Sequence, residues 1–254
     1  MQAQRGFADG RANGDSPTNR ENAANTDSPA DDRRLNVWAV IVAGGSGARF
    51  GGYKQFADLC GRPVVEWSID VACRTCQGVV LVVPESVLGE TYVLDAGSRC
   101  SAVVAGGPTR TASVRNGLQA VPANAQVVLV HDAARPLAGE ALWKEVIEAV
   151  RAGADAAVPC IPVTDTVKQR DDDGRLVTLD RSRLVASQTP QGFAASALRR
   201  AHSGDAEATD DAALVEAGGG RVVEVAGAST NLKVTSTADM ALAGTLLRAI
   251  GCRA

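Results

Sequence analysis

The stretch AGGSGARFGGYKQF, residues 43 to 56, sets two cations, Arg49 and Lys54, among five glycines directly after the apolar run NVWAVIV. Glycines at the end of a strand let backbone N–H groups approach a phosphate, and cations along the loop can neutralise its charge. Two familiar phosphate loops fail here. A G-x-G-x-x-G starting at Gly45 meets Phe50 where its third glycine belongs, and no acidic residue ends a second strand about 20 residues on. A Walker A loop needs Gly-Lys-Ser/Thr, whereas Lys54 stands between Tyr53 and Gln55. A tight turn carrying two solvated charges is the plain alternative. The preceding strand and the spacing of the cations favour an anion site.

Acid–base chemistry has few candidates. The chain holds two histidines, His131 and His202, and no Ser/His/Asp or Cys/His set assembles from the pattern. His131 reads as a structural residue at a strand end. Asp132 follows it at the carboxyl edge of the sheet, where a short acceptor can meet a ligand hydroxyl or cap the turn before Pro136. Cys73 and Cys76 form a C-x-x-C inside an amphipathic helix with no second pair, which predicts core packing rather than a metal site. Trp38, Trp67 and Trp143 fall in apolar patterns and read as core, and Asp171, Asp172 and Asp173 as a solvated tip.

The elements that must position these groups alternate. Strand-like runs rich in Val, Ile and Leu (NVWAVIV, VVLVV, SAVVAGG, VVLVHD, DAAVPCIPV) are separated by helical patterns such as PVVEWSIDVACRTC and GEALWKEVIEAVRAG. Continuous apolar strands belong to a sheet covered on both faces, so the expectation is a doubly wound, mostly parallel α/β sheet of Rossmann-like kind. Between about 163 and 190 the pattern turns polar around Asp173-Gly174, a hairpin signal. Such a half-polar hairpin is expected to project as a dimerisation arm. Beyond it follow a helix, the strand RVVEVAG, a short NLKVT segment and a final helix from about Ser236.

Composition sets outer bounds. The 254 residues are 45% hydrophobic and 22% charged with a net charge of −3, enough apolar material for a core and too little positive charge to grip a nucleic acid. Residues 1 to 34 contain no Val, Ile, Leu, Trp, Tyr or Cys, so they are expected as a disordered tail ahead of a domain spanning 35 to 254. No apolar run is long enough to span a bilayer. Six scattered cysteines and no secretory signal suggest reduced thiols, a cytoplasmic location and no membrane partner.

Later motifs give the chain a familial cast. GG..R..SV (Gly106, Gly107, Arg110, Ser113, Val114), HDAARP (His131 to Pro136), DT.K (Asp165, Thr166, Lys168), DR..L (Asp180, Arg181, Leu184), TPQ (Thr189 to Gln191), TDD (Thr209 to Asp211) and NLKVT (Asn231 to Thr235) follow the glycine loop in order. With that loop, they make residues 35 to 254 resemble the 2-C-methyl-D-erythritol 4-phosphate cytidylyltransferase family of the non-mevalonate isoprenoid pathway. The loop alone is also similar to sugar-nucleotide pyrophosphorylases and molybdenum-cofactor guanylyltransferases.

The resemblance implies an enzyme joining CTP to a methylerythritol phosphate with release of pyrophosphate, acting as a homodimer. It implies Arg49, Lys54 and Lys233 as the catalytic cations, and Ala43, Gly44, Gly45, Gly47, Gly107 and Ser113 around the nucleotide. Asp132, Ala133, Arg135, Thr166, Arg181 and Thr189 would serve the polyol phosphate, with Thr166 and Arg181 reaching a neighbouring subunit from the arm. Mg²⁺ would ride mainly on the CTP phosphates, with no dedicated protein ligands. A phosphate monoester is largely dianionic at neutral pH, so the reaction needs no general base. Two departures stand out: Tyr53 precedes Lys54 in a shortened loop where the family usually has Pro, and Pro108 follows Gly107 where it often has Asp or Ser. A pentitol (ribitol) 5-phosphate cytidylyltransferase and a non-catalytic nucleotide-binding module are the alternatives.

Overall fold

A computed structural model describes residues 35–45 and 52–251. The expected disordered tail at 1 to 34, Gly47 and Arg49 lie outside the described residues. From the N-terminal side, β1 (Val37–Val42), α1 (Val64–Thr75), β2 (Gly78–Val83), α2 (Thr91–Gly97), β3 (Ala102–Ala105), α3 (Arg110–Gln119), β4 (Val127–Asp132), α4 (Glu140–Arg151) and β5 (Ala156–Pro162) alternate as the pattern predicts. The short strands β6 (Lys168–Arg170), β7 (Leu176–Thr178), β8 (Val185–Ser187) and β9 (Gln191–Ala194) come next. The chain closes with α5 (Ala195–Ala201), α6 (Asp211–Ala217), β10 (Val222–Ala226) and α7 (Thr237–Ala249).

The strands order as β10-β5-β9-β4-β1-β2-β3, with β8 also paired to β5. Side chains alternate across each strand, so the two faces carry separate cores. Ala39, Ile41, Leu81 and Leu129 pack with Ile69 of α1 and Trp143 and Val146 of α4. Val40, Val80, Val82, Val128 and Val130 pack instead with Val114 and Leu118 of α3, Leu198 of α5 and Val215 of α6. Burial on both faces is why these strands are dominated by Val, Ile and Leu. At Gly117 the backbone of α3 comes so close to the sheet that a Cβ would lie 2.5 Å from Val40 Cγ1 and 2.9 Å from Val82 Cγ2. That approach sets the depth at which the N-terminal turn of α3 reaches the sheet edge.

Several expectations change. β9 was not expected as a strand: it runs antiparallel between β4 and β5 within the mostly parallel sheet. Its four residues, QGFA, carry no β-branched run, and their strand state comes from pairing with residues far away in sequence. Between β2 and β3 lies a helix, α2, for which the sequence pattern gave no signal, and two helices, α5 and α6, stand where one was expected. Cys73 is exposed, its Sγ donating to the Arg99 carbonyl at 3.7 Å, so only Cys76 packs against the core. Of the tryptophans, Trp143 is fully buried while Trp38 and Trp67 are partly so.

The hairpin at 163 to 190 is present as β6 and β7, paired with each other in a separate two-stranded sheet, with Gly174 at φ +80° in the turn. Its strands are exposed throughout, and Leu176 and Val177 are 61% and 52% exposed. No helix among the described residues is long and apolar enough to cross a membrane.

Candidate active site

The parallel strands end together, and backbone bonds carry their register into the loops. Ala43 N donates to Val82 O at 2.7 Å, Gly106 N to Val83 O at 2.7 Å and Ala133 N to Val42 O at 3.0 Å. A cavity of about 420 Å³ opens at this edge, lined by Ala43, Gly44, Gly45, Lys54, Gly107, Ser113, Asp132, Ala133 and Lys233 among others. All nine belong to the expected site. Lys54 sits in a short turn whose next residue, Gln55, is buried and donates through Nε2 to Ala43 O at 2.6 Å and Gly45 O at 3.1 Å. The far end of the glycine loop is thus tied back to its start.

Ser113 shapes the opposite wall. Its hydroxyl donates to Thr109 O at 2.8 Å and accepts from Gly107 N at 3.1 Å, so it holds the loop ahead of α3. A Cβ on Gly106 would lie 2.9 Å from that oxygen, which explains the glycine. Pro108 and Thr109 also line the cavity, with Thr109 capping α3 by accepting from Ala112 N at 3.0 Å.

A second, smaller cavity of about 230 Å³ adjoins the first and shares three residues with it: Arg110, Asp132 and Lys233. These three form one charged junction. Lys233 Nζ donates to Asp132 Oδ2 at 2.7 Å, and Arg110 Nε donates to Asp132 Oδ1 at 3.2 Å. Burial alone would raise the Asp132 pKa, but the Arg110 and Lys233 charges outweigh it and hold the carboxyl well below its usual range. Burial would likewise weaken Arg110 as a cation, yet Asp211 and Asp132 keep it firmly charged, with Nη1 donating to Asp211 Oδ2 at 2.7 Å.

Lys233 reaches Asp132 across 101 positions because NLKVT is strapped beside the β4 loop. Asn231, fully buried, donates to Thr189 O at 2.9 Å and accepts at its carbonyl from Arg135 Nη1 at 2.8 Å. Val234 N donates to Ala134 O at 2.8 Å while the Val234 side chain enters a small core with Leu59, Val64 and Leu247. A Ser236–Asp239 capping box then starts α7, fixing the end of the strap.

Arg135 and Thr189 line the smaller cavity, as do Gln188, Gln191, Thr209 and Asp210. Thr166 and Arg181 line neither cavity; both are exposed, flanking the β6–β7 hairpin in the chain, and Arg181 donates to the Thr164 carbonyl. Gly47 and Arg49 lie outside the described residues. Sequence reasoning quoted Arg110 in a motif and gave it no role. The available signal was electrostatic: a cation at the first turn of α3 opposes the helix dipole, so it requires nearby anions.

His131 is no general base. It is fully buried, with Nε2 within hydrogen-bond distance of Ser68 Oγ at 3.1 Å and of the Arg135 carbonyl at 3.2 Å. Nδ1 is hydrogen-bonded to Thr189 Oγ1 at 3.1 Å, and that same oxygen accepts from Asp132 N at 3.0 Å. The ring orients Thr189 and the strand end that carries Asp132. Burial pushes the His131 pKa down from 6.5 to about 4. The unfolded chain therefore takes up this proton first as pH falls. The contribution is full above pH 6.5 and is lost progressively toward pH 4, an effect on the order of 3 kcal/mol. Urea unfolding between pH 8 and 4.5 is expected to show this decline, and His131→Asn to be less stable at pH 8 with a flatter profile. An unchanged slope in the variant would remove His131 as its source.

Comparison with known proteins places this geometry. The 2-C-methyl-D-erythritol 4-phosphate cytidylyltransferase (IspD) family profile matches residues 37–249. A 2-C-methyl-D-erythritol 4-phosphate cytidylyltransferase from Rhodococcus jostii is 44% identical over 217 residues, covering 83% of this chain and 95% of the relative. A bifunctional enzyme IspD/IspF from Solidesulfovibrio magneticus is 42% identical over 224 residues; the match takes 82% of this chain but spans only 56% of that longer protein. The crystal structure of the cytidylyltransferase of the same name from Thermus thermophilus superposes with a TM-score of 0.70 at 33% identity, covering 82% of this chain and 98% of that one. The ordered motifs, the sheet that gathers them at one edge and a profile match across nearly the whole described domain agree: the chain belongs to the 2-C-methyl-D-erythritol 4-phosphate cytidylyltransferase family.

Proposed function

We propose that the protein joins CTP to 2-C-methyl-D-erythritol 4-phosphate, giving 4-diphosphocytidyl-2-C-methyl-D-erythritol and pyrophosphate. The carrying observation is the Arg110–Asp132–Lys233 junction on the wall common to two adjoining cavities. The larger takes the nucleotide and the smaller the polyol phosphate. A phosphate oxygen of the acceptor attacks the α-phosphorus of CTP, a P–O bond forms, and the bond to the departing pyrophosphate breaks. Negative charge gathers on the transferring group and the leaving group, so preorganised cations lower the barrier. Lys54 and Lys233 supply them from the cleft, and Arg49 is assigned the same task on its position in the glycine loop.

The backbone walls at Ala43, Gly44, Gly45 and Gly107, braced by Ser113, suit a pyrimidine and leave little room for a purine, and Gly47 is assigned to the nucleotide only on its position in the glycine loop. Asp132, Ala133, Arg135 and Thr189 serve the acceptor side. Mg²⁺ bound through the CTP phosphates would draw charge off the leaving pyrophosphate. Asp132 is the one carboxylate among the described residues lining the larger cavity, and both its oxygens are engaged by cations, which suits a metal held chiefly by the nucleotide. Pyrophosphate release measured with CTP and methylerythritol phosphate, ribitol 5-phosphate or no acceptor tests the reading. Turnover with the first alone is expected; preference for the second would make it a pentitol enzyme, and none with either a binding module.

The working unit is a cytoplasmic homodimer. The exposed apolar residues Leu176 and Val177 on an isolated hairpin favour a second arm as their cover, since a lone two-stranded hairpin is marginal in water. Thr166 and Arg181, which line neither cavity of their own chain, then serve the partner's acceptor site. Arg181→Ala and Lys233→Ala, each inactive alone, are expected to recover up to roughly a quarter of wild-type sites on random co-assembly. Absence of recovery in a verified heterodimer would place both residues in one cleft.

A further inference from the structure

Behind the junction runs a buried chain of charge that the reaction does not use directly. Asp211, at the start of α6, is wholly buried, and its two oxygens have separate partners. Oδ2 accepts from Arg110 Nη1 at 2.7 Å; Oδ1 accepts from His202 Nε2 at 3.0 Å, at the end of α5. The His202 side chain is 3% exposed, and its Nδ1 is buried with no hydrogen-bond partner among the described residues. An unsatisfied buried nitrogen costs stability, so an apolar side chain would suit this place better if packing were its only purpose. What the imidazole provides is one donor, aimed at Asp211.

We propose that His202 is a positioning residue for the transfer reaction: by holding Asp211 Oδ1 it fixes the carboxylate that anchors Arg110, and so sets Arg110 against Asp132 on the wall between the two cavities. A carboxylate this deeply buried must have both oxygens satisfied. Without the His202 donor, Asp211 turns its free oxygen toward the same guanidinium and draws Arg110 away from Asp132. Asp132 then keeps only Lys233, and the cation set presented to the reacting phosphates loses its geometry. His202, which lines neither of the two cavities, thereby governs the junction between them.

The proposal rests on the cytidylyltransferase reading, and its test carries a readout independent of turnover. Gln places its Nε2 the same number of bonds from Cα as His does, whereas Asn places its amide nitrogen one bond short. His202→Gln is therefore expected to keep kcat within about threefold of the parent. His202→Asn and His202→Leu are expected to lose about tenfold or more in kcat, with KM for CTP changing less than threefold. Asp211→Asn combined with His202→Leu should be no worse than Asp211→Asn alone, since both cut one chain. In nitrogen-15 spectra, the Arg110 Nε–H resonance should stay at its parental position in the Gln variant and shift in the Asn variant. Gln and Asn variants that behave alike in kcat and in that resonance, at matched Tm, would overturn the proposal. If the parent itself shows no turnover, the enzymatic reading fails, while the resonance still decides whether His202 positions Arg110.

Discussion

A carboxylate caught between two cations organises this molecule. Asp132 sits at the end of a central strand, deep enough that burial alone would favour its neutral form, and it stays ionised because Arg110 takes one oxygen and Lys233 the other. The arrangement is mutual. Removing either cation would leave a buried charge incompletely paired, and removing the carboxylate would set two positive groups against each other without a counter-ion. Cations held this way are ordered before a phosphate arrives, which is the condition for stabilising charge that develops during reaction.

Most of the surrounding fold serves to bring those three residues together from three regions of the chain. β4 delivers Asp132 because its apolar residues are buried on both faces, and His131 with Thr189 locks the strand end through bonds to both sides. α3 delivers Arg110 to its own first turn, against the helix dipole, at a depth set by Gly117. The Asn231–Thr235 strap delivers Lys233: Asn231 is buried against Thr189, and Leu232 and Val234 both pack into the small core with Leu247 of α7, so that Lys233 between them faces the cleft. The exposed ammonium and the buried neighbours are one design: alternate residues of an extended segment face opposite ways.

What was legible in the sequence follows from which interactions are local. β1, β2 and β4 could be read because two-sided burial writes itself as runs dominated by Val, Ile and Leu, and the β6–β7 hairpin because Asp173-Gly174 supplies turn chemistry within a few residues. β9 could not, since Gln191–Ala194 becomes a strand by pairing with β4 and β5, and nothing in four residues records that. The cleft residues were found through ordered motifs rather than through patterning; no periodicity relates Lys54 to Lys233. Arg110 was visible in the same motifs but its task was not, because its partner Asp211 lies 101 positions away. The same holds for His202, a lone histidine by sequence and a member of a buried network only once α5 and α6 are folded.

The claim on which the rest depends is that Asp132 holds the cations in a reactive arrangement, and kinetics with CTP binding on Asp132→Asn tests it most directly. The substitution keeps the shape and removes one negative charge from the cleft. The account predicts opposite movements: CTP affinity equal to or tighter than the parent, because a triphosphate meets less repulsion, and kcat lower by about 100-fold, because Arg110 and Lys233 are no longer held in place. A variant with parental kcat would contradict it.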